Sequence, residues 1–230
     1  MNAAAFLAAV KGKLIVSCQA LADEPLHGSA IMAKMATAAK IGGAAAIRAN
    51  SPADIRAIKE VVDLPVIGLY KRGDSGVFIT PTFDDAAAVA AAGADIIALD
   101  CTDRPRPDGA RLPDLLRRIQ DEIGKPVFAD VSSLEEARAA AKYGVAMAGP
   151  TLSGYIDRPS KSAGPDYELL GAMIATLRIP VIAEGRIHTP RQARRALNIG
   201  AWTVVVGSAI TRPRTITARF VAALQDGHEA

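Results

Sequence analysis

The sequence predicts a closed (β/α)8 barrel, and three observations carry that prediction. The chain reads as eight copies of one unit, an apolar run with a polar tip followed by a helix, with strand starts recurring roughly every 20–35 residues. Its 230 residues are 50% apolar but only 4% aromatic, so Ala, Val and Ile carry the packing, as buried parallel strands require. No Gly-x-Gly-x-x-Gly lies in the first strand–helix turn, which weakens an open, doubly wound sheet. The length suits a single domain over 1–230, with a short helix ahead of the first strand.

The elements follow in order. MNAAAFLAAVKGK has a short apolar run but no basic n-region and no cleavage site, so it reads as a helix covering the bottom of the barrel and not as a signal peptide. A first strand is expected over 14–18, with Gln19 at its end. Residues 29–41 form a helix with Ile31, Met32 and Met35 on one side, stopped by Gly42-Gly43. A second strand over 44–47 ends in Arg48-Ala49-Asn50. Ser51 caps the next helix and Pro52 opens it. The third strand, 65–69, leads into Tyr70-Lys71-Arg72-Gly73 and a polar loop to about Thr80. Thr82 caps a helix over 83–92 whose many alanines allow close approach to a sheet. The fourth strand is 95–99, with Asp100 at its tip. A helix over 111–123 has Leu112, Leu115, Leu116 and Ile119 at helical spacing. The fifth strand, 126–129, ends at Asp130. Ser133 and Glu136 form a capping box for a helix to Tyr143. The sixth strand, 145–148, is the weakest. The longest loop follows, 149–165, a length typical of a lid or site wall. Asp166 begins another helix. The seventh strand, 180–183, ends in Glu184-Gly185; Thr189, Pro190 and Gln192 open the next helix. The eighth strand, 202–206, ends in Gly207-Ser208, and 213–224 forms the last helix.

In such a barrel the chemistry sits at the C-terminal strand ends. The tips carry Gln19, Arg48, Lys71, Asp100, Asp130, Thr151, Glu184, Gly207 and Ser208. Lys71 follows an apolar strand. It is either a rim lysine paired to a carboxylate or a general base whose pKa is lowered by burial and by Arg48 or Arg72. Glu184 either holds Lys71 or an arginine in place, or transfers a proton or binds substrate hydroxyls. Strands three and seven lie across the mouth from each other, so two proton carriers there address opposite faces of one carbon. That is what epimerisation by deprotonation and reprotonation requires. Gly185-Arg186 and Gly207-Ser208 occupy the loops after strands seven and eight, where such barrels bind phosphate through backbone N–H groups. Arg48 and Asp130 are equally readable as an ion pair or as ligands for substrate oxygens. Asp100, Asp130 and Glu184 could hold magnesium, but no converging ligand set is evident and no metal is expected.

The net charge of +3 is mild and spread along the chain, which argues against a nucleic-acid surface and fits a small anionic substrate. No apolar run is long enough for a membrane span. Cys18 and Cys101 form neither a disulfide framework nor a zinc spacing, and read as buried free thiols in a reducing cytoplasm. A homodimer is the default expectation for assembly.

The stretches SCQAL (17–21), GGAAAIRAN (42–50), PVIGLYKR (65–72), VFITPT (77–82), ADIIALD (94–100), FADVSS (128–133), TLSGY (151–155), PVIAEGRI (180–187) and VVVGSAITRP (204–213) together resemble the N-acetylmannosamine-6-phosphate 2-epimerase family. The resemblance spans nearly the whole chain. It departs from the family pattern in the short stretch 72–77 and at Pro150. It implies a (β/α)8 enzyme of sialic acid catabolism acting on a phosphorylated N-acetyl amino sugar, without metal or redox cofactor. It implies Lys71 as catalytic lysine and Glu184 as its partner. It further implies Gln19, Arg48, Asp130, Thr151 and Arg186 around the substrate, and Gly185, Arg186, Gly207 and Ser208 around the phosphate. On this reading neutral Lys71 removes the C2 proton of the ring-opened sugar, and Arg48 or a backbone donor stabilises the enolate oxygen. Glu184 either returns the proton or orders Lys71. Another phosphosugar barrel enzyme or a non-catalytic phosphosugar-binding protein would share the anion site.

Overall fold

The computed structural model describes residues 1–73, 76–156 and 164–225. Eight strands form one parallel sheet: β1 (Leu14–Cys18), β2 (Ala46–Asn50), β3 (Val66–Leu69), β4 (Ile96–Asp100), β5 (Val127–Asp130), β6 (Met147–Gly149), β7 (Ile182–Ala183) and β8 (Thr203–Val206). Their order is β6-β5-β4-β3-β2-β1-β8-β7. A parallel bridge between Ala148 and Val181 joins the two ends, with the Ala148 N–H donating to the Pro180 carbonyl at 3.2 Å. The expected barrel is therefore present and closed.

Helices α2 (Ser29–Ile41), α3 (Pro52–Val61), α4 (Phe83–Ala91), α5 (Leu112–Arg118), α6 (Leu134–Lys142), α7 (Tyr167–Thr176) and α8 (Pro190–Ile199) alternate with the strands. The polar residues expected to start them do so. Thr82, Ser133 and Thr189 each accept from the N3 backbone N–H and receive the reciprocal bond of a capping box. Gly68 in β3 shows how closely the helices approach. A Cβ there would fall 2.6 Å from Ala94 Cβ and 2.7 Å from Val89 Cγ1.

Strand alternation divides the buried residues between two cores. Val66, Ile97, Val127 and Ala129 face the helices. Ile15, Ala46, Ile67, Leu69, Ile96, Ala98, Phe128, Met147, Ile182 and Val205 form the barrel interior. Helix α1 (Ala3–Val10) closes the bottom with Phe6 and Val10, both fully buried in that interior cluster. Trp202 fixes it by donating Nε1–H to the Leu7 carbonyl at 2.8 Å. The helix covering the barrel bottom is thus as expected.

Several boundaries differ from the sequence reading. Arg48, Asp100 and Asp130 lie inside strands, because inward polar side chains with partners let the strand continue. α5 ends in a π-turn over Ile119–Ile123, closed by left-handed Gly124. The expected loop after β3 folds back on itself: Lys71 bridges Ile79, and Thr80 N–H donates to the Tyr70 carbonyl at 2.8 Å. Within it, Asp74 and Ser75 lie outside the described residues, as do 157–163 of the expected lid. A short helix, α9 (Ser208–Thr211), precedes α10 (Pro213–Gln225).

Candidate active site

Two residues beyond the apolar interior, the same inward positions turn polar. Ile15 gives way to Ser17 and Gln19, Ala46 to Arg48, Leu69 to Lys71, Phe128 to Asp130, Ile182 to Glu184, and Val205 to Gly207. A period of two explains why one strand set builds a greasy bottom and a charged mouth.

The mouth holds a cavity of about 340 Å3. Its walls include Gln19, Lys71, Thr151, Glu184, Gly185, Arg186, Gly207 and Ser208, so one space brings together eight of the ten expected site residues. Arg48 and Asp130, the other two, do not line it. They lie beneath, 1% and 0% exposed. Arg48 donates from both terminal nitrogens to Asp130, at 3.0 and 2.6 Å, and from Nη1 to Glu184 Oε2 at 2.7 Å. Arg48 and Asp130 form an ion pair, and Arg48 joins it to Glu184 in one buried network that holds the Glu184 side chain. Asp100, the third carboxylate considered for magnesium, is taken up by Arg104 at 2.7 Å and by the Thr102 hydroxyl at 2.7 Å. No cluster of three or more His, Cys, Asp or Glu side chains with metal-site geometry occurs among the described residues.

Lys71 faces Glu184 across the mouth, since β3 and β7 stand four strands apart in the closed ring of eight. Lys71 makes no ion pair with any of the described residues. Burial, then the positive charges of Arg48 and Arg212, bring its pKa down to about 8, against the opposing pull of Glu184 and Asp130. Arg72, expected to help, is not among those groups. Burial pushes Glu184 up to about 7, with Asp130 adding to the rise and Arg48 and Lys71 opposing it. A free amine and a protonated carboxyl are thus both accessible near neutrality, on opposite walls of one cavity.

The lysine's backbone is held firmly. Its N–H donates to Asn50 Oδ1 at 2.8 Å, and Thr80 accepts from Tyr70 N–H through Oγ1 at 3.0 Å. Thr80 is fully buried at φ 49°, a left-handed conformation costly for a β-branched residue and kept where surroundings over-determine it.

The loop after β7 turns through two left-handed residues, Gly185 at φ 109° and Arg186 at φ 51°. The Arg186 guanidinium donates to the carbonyls of Gly164 (2.7 Å) and Ser153, tying the loop after β6 to β7. Gly207 packs closely, since a Cβ there would come 3.3 Å from Ser17 Cβ. The buried oxygens Gln19 Oε1 and Thr151 Oγ1 have no hydrogen-bond partner among the described residues. Cavity residues that the sequence reading passed over include Ser17, Phe78, Ile79, Leu152, Val205 and Arg212. Counting back two from each tip would have found Ser17 and Val205. Phe78 and Ile79 come from the unforeseen hairpin. Arg212 follows the unforeseen α9 and pairs with Glu24 at 3.6 Å.

The family described as NanE, N-acetylmannosamine-6-phosphate epimerase, matches residues 32–226 of this chain. The chain belongs to this family. Relatives that carry the name N-acetylmannosamine-6-phosphate 2-epimerase include one from Clostridium perfringens, 50% identical over 218 residues that cover 94% of this chain and 98% of the relative. Another, from Cutibacterium acnes, is 48% identical over 95% of this chain and 96% of its own. The solved structure of the C. perfringens N-acetylmannosamine-6-phosphate 2-epimerase superposes with a TM-score of 0.91 at 49% identity, covering 94% of this chain and 95% of that one. A thiamine phosphate pyrophosphorylase from Pyrococcus furiosus, at 22% identity and a TM-score of 0.56, shares the fold alone. The epimerase resemblance read from SCQAL, YKR, TLSGY and AEGRI is therefore a family membership, and it covers the β1, β3, β6 and β7 ends that wall the cavity.

Proposed function

We propose that this chain is an isomerase that interconverts N-acetylmannosamine 6-phosphate and N-acetylglucosamine 6-phosphate by moving the C2 proton of the ring-opened sugar. The observation that carries the mechanism is the placement of Lys71 and Glu184 on opposite walls of one cavity, with pKa values near 8 and 7. Ring opening leaves an aldehyde at C1, which makes the C2 proton acidic. Lys71 as the free amine removes that proton from one face; the protonated Glu184 returns one to the other. The reverse reaction exchanges the roles. Arg48 and Asp130 act through Glu184, holding its carboxyl toward the sugar. Gln19 Oε1 and Thr151 Oγ1 take substrate N–H or O–H groups. The phosphate lies by Gly185, Gly207 and Ser208, where the first N–H groups of α9 have no intrahelical acceptor. Arg212 adds positive charge on the same wall. Arg186 contributes through the loop it ties down.

The direct test follows purified protein with N-acetylmannosamine 6-phosphate by NMR. Formation of N-acetylglucosamine 6-phosphate is expected, with loss of turnover in Lys71→Ala. An inactive wild-type protein would overturn the activity; near-normal turnover in the variant would overturn the lysine's role.

We also infer a homodimer and a cytoplasmic location. α10 buries none of its residues and exposes Phe220 (70%) and Leu224 (85%). The outer side of β8 borders an apolar cavity of about 380 Å3 walled by Leu14, Ala193, Leu197, Val204 and Val206. A second copy of the chain supplies matching apolar surface, so light scattering should give twice the chain mass, and Leu224→Asp should shift it toward the monomer. Cys18 and Cys101 are buried free thiols, as a reducing compartment allows. No helix among the described residues is long and apolar enough to cross a membrane.

A further inference from the structure

Ser17 belongs to no site residue assigned so far. It is an inward residue of β1, 7% exposed, on the cavity wall with Gln19 and Gly207. Its hydroxyl accepts from Gln19 Nε2 at 2.8 Å. Its backbone carbonyl accepts from the Thr211 hydroxyl at 2.8 Å, which fixes α9 against the strand. The hydroxyl stands directly beside the Gly207 backbone, since a Cβ on Gly207 would lie 3.5 Å from Ser17 Oγ.

A serine hydroxyl has one proton to donate and two lone pairs. The bond from Gln19 uses a lone pair, and among the described residues the proton has no acceptor. Gln19 is itself 7% exposed, and its Oε1 is buried with no hydrogen-bond partner. Two touching buried groups therefore face one cavity with unused capacity of opposite kinds: a donor on Ser17 and an acceptor on Gln19. Buried polar groups are rarely left unpaired unless something else completes them.

We infer that Ser17 is a substrate ligand that donates its hydroxyl proton to an oxygen of the phosphate beside Gly207, and that Gln19 fixes the direction of that bond. This rests on the phosphate position proposed above. The chain of bonds runs one way. A substrate N–H or O–H donates to Gln19 Oε1, Gln19 Nε2–H donates to Ser17 Oγ, and Ser17 O–H donates to the phosphate. Each bond in such a chain polarises the next. The reversed amide would point a serine lone pair at an anion and offer N–H donors to the sugar. The pair thus selects a substrate with an acceptor anion at one end and a donor group at the other, and it couples recognition of the two ends.

The test titrates inorganic phosphate into wild type, S17A, Q19A, S17A/Q19A and G207A by calorimetry, with thermal unfolding to confirm folded protein. Loss of one hydrogen bond to a charged group should weaken phosphate binding by S17A about tenfold. Q19A, which does not touch inorganic phosphate, should weaken it by a smaller factor, about threefold. The double variant should bind no more weakly than S17A alone, since the glutamine acts through the serine. With the phosphosugar, S17A should raise KM more than it lowers kcat. Wild-type affinity in S17A alongside weakened G207A would overturn the serine's role and leave the phosphate position standing. Wild-type affinity in both would overturn the two together. Additive losses in the double variant would overturn the relay.

Discussion

Phe128 and Asp130 sit two residues apart on β5 and face the same interior, and the Arg48 guanidinium, which pairs with Asp130 and lies 5.1 Å from the centre of the Phe128 ring, marks the border between two different surroundings. Phe128 is in the apolar cluster that α1 seals from below. Asp130 is in the charge network that Arg48 anchors below the cavity. The bottom is held by apolar burial and one hydrogen bond, from Trp202 to the Leu7 carbonyl. The mouth is held by the buried Arg48–Asp130 ion pair, to which Glu184 is also bonded, and breaking that pair on one side leaves a charge without compensation. The difference teaches where this barrel keeps its stability and where it keeps its reactivity. It also explains why Lys71, next to that network but outside it, loses part of its affinity for a proton.

The sharpest separation comes from Lys71→Ala. Turnover should fall by about 10²–10⁴-fold, the usual worth of a general base, while the thermal midpoint stays near that of wild type. A large loss of stability instead would make Lys71 part of the network. Next is Arg48→Met, which strands two carboxylates under the cavity. Urea unfolding should show a loss of about 3–5 kcal/mol, together with lost turnover; a stable, active variant would break the contrast. A third effect is on pH. Activity needs Lys71 without its proton, so it climbs as pH rises toward about 8. It needs Glu184 with its proton, so it declines as pH rises above about 7. The kcat/KM profile should therefore be a narrow bell with its maximum between those values. The smallest effect is at the bottom: Phe6→Leu should cost about 1 kcal/mol and leave the bell where it is.

Much of this was legible in the sequence, and the failures have physical reasons. The eight repeats, the helix caps at Thr82, Ser133 and Thr189, and α1 as a covering helix follow from local patterns. So does the gathering of Lys71, Glu184, Gln19 and Thr151, because each stands at a strand end and strand ends converge. The choice between ion pair and ligand for Arg48 is not legible locally, because its partners, Asp130 and Glu184, are 82 and 136 residues away and no local signal shows that a charge is already paired. The hairpin under Lys71 was read as loop because its pairing is one bridge, made with residues that carry no alternation. Arg212 was missed for a similar reason: α9 is four residues long, too short for helical periodicity to register.

Proton transfer at C2 is most directly tested by running the reaction in D2O and reading the C2 position of the product by NMR. Product carrying solvent deuterium at C2, with no such exchange catalysed by Lys71→Ala, is the predicted result. Product that forms at the wild-type rate while keeping its original proton at C2 would contradict it.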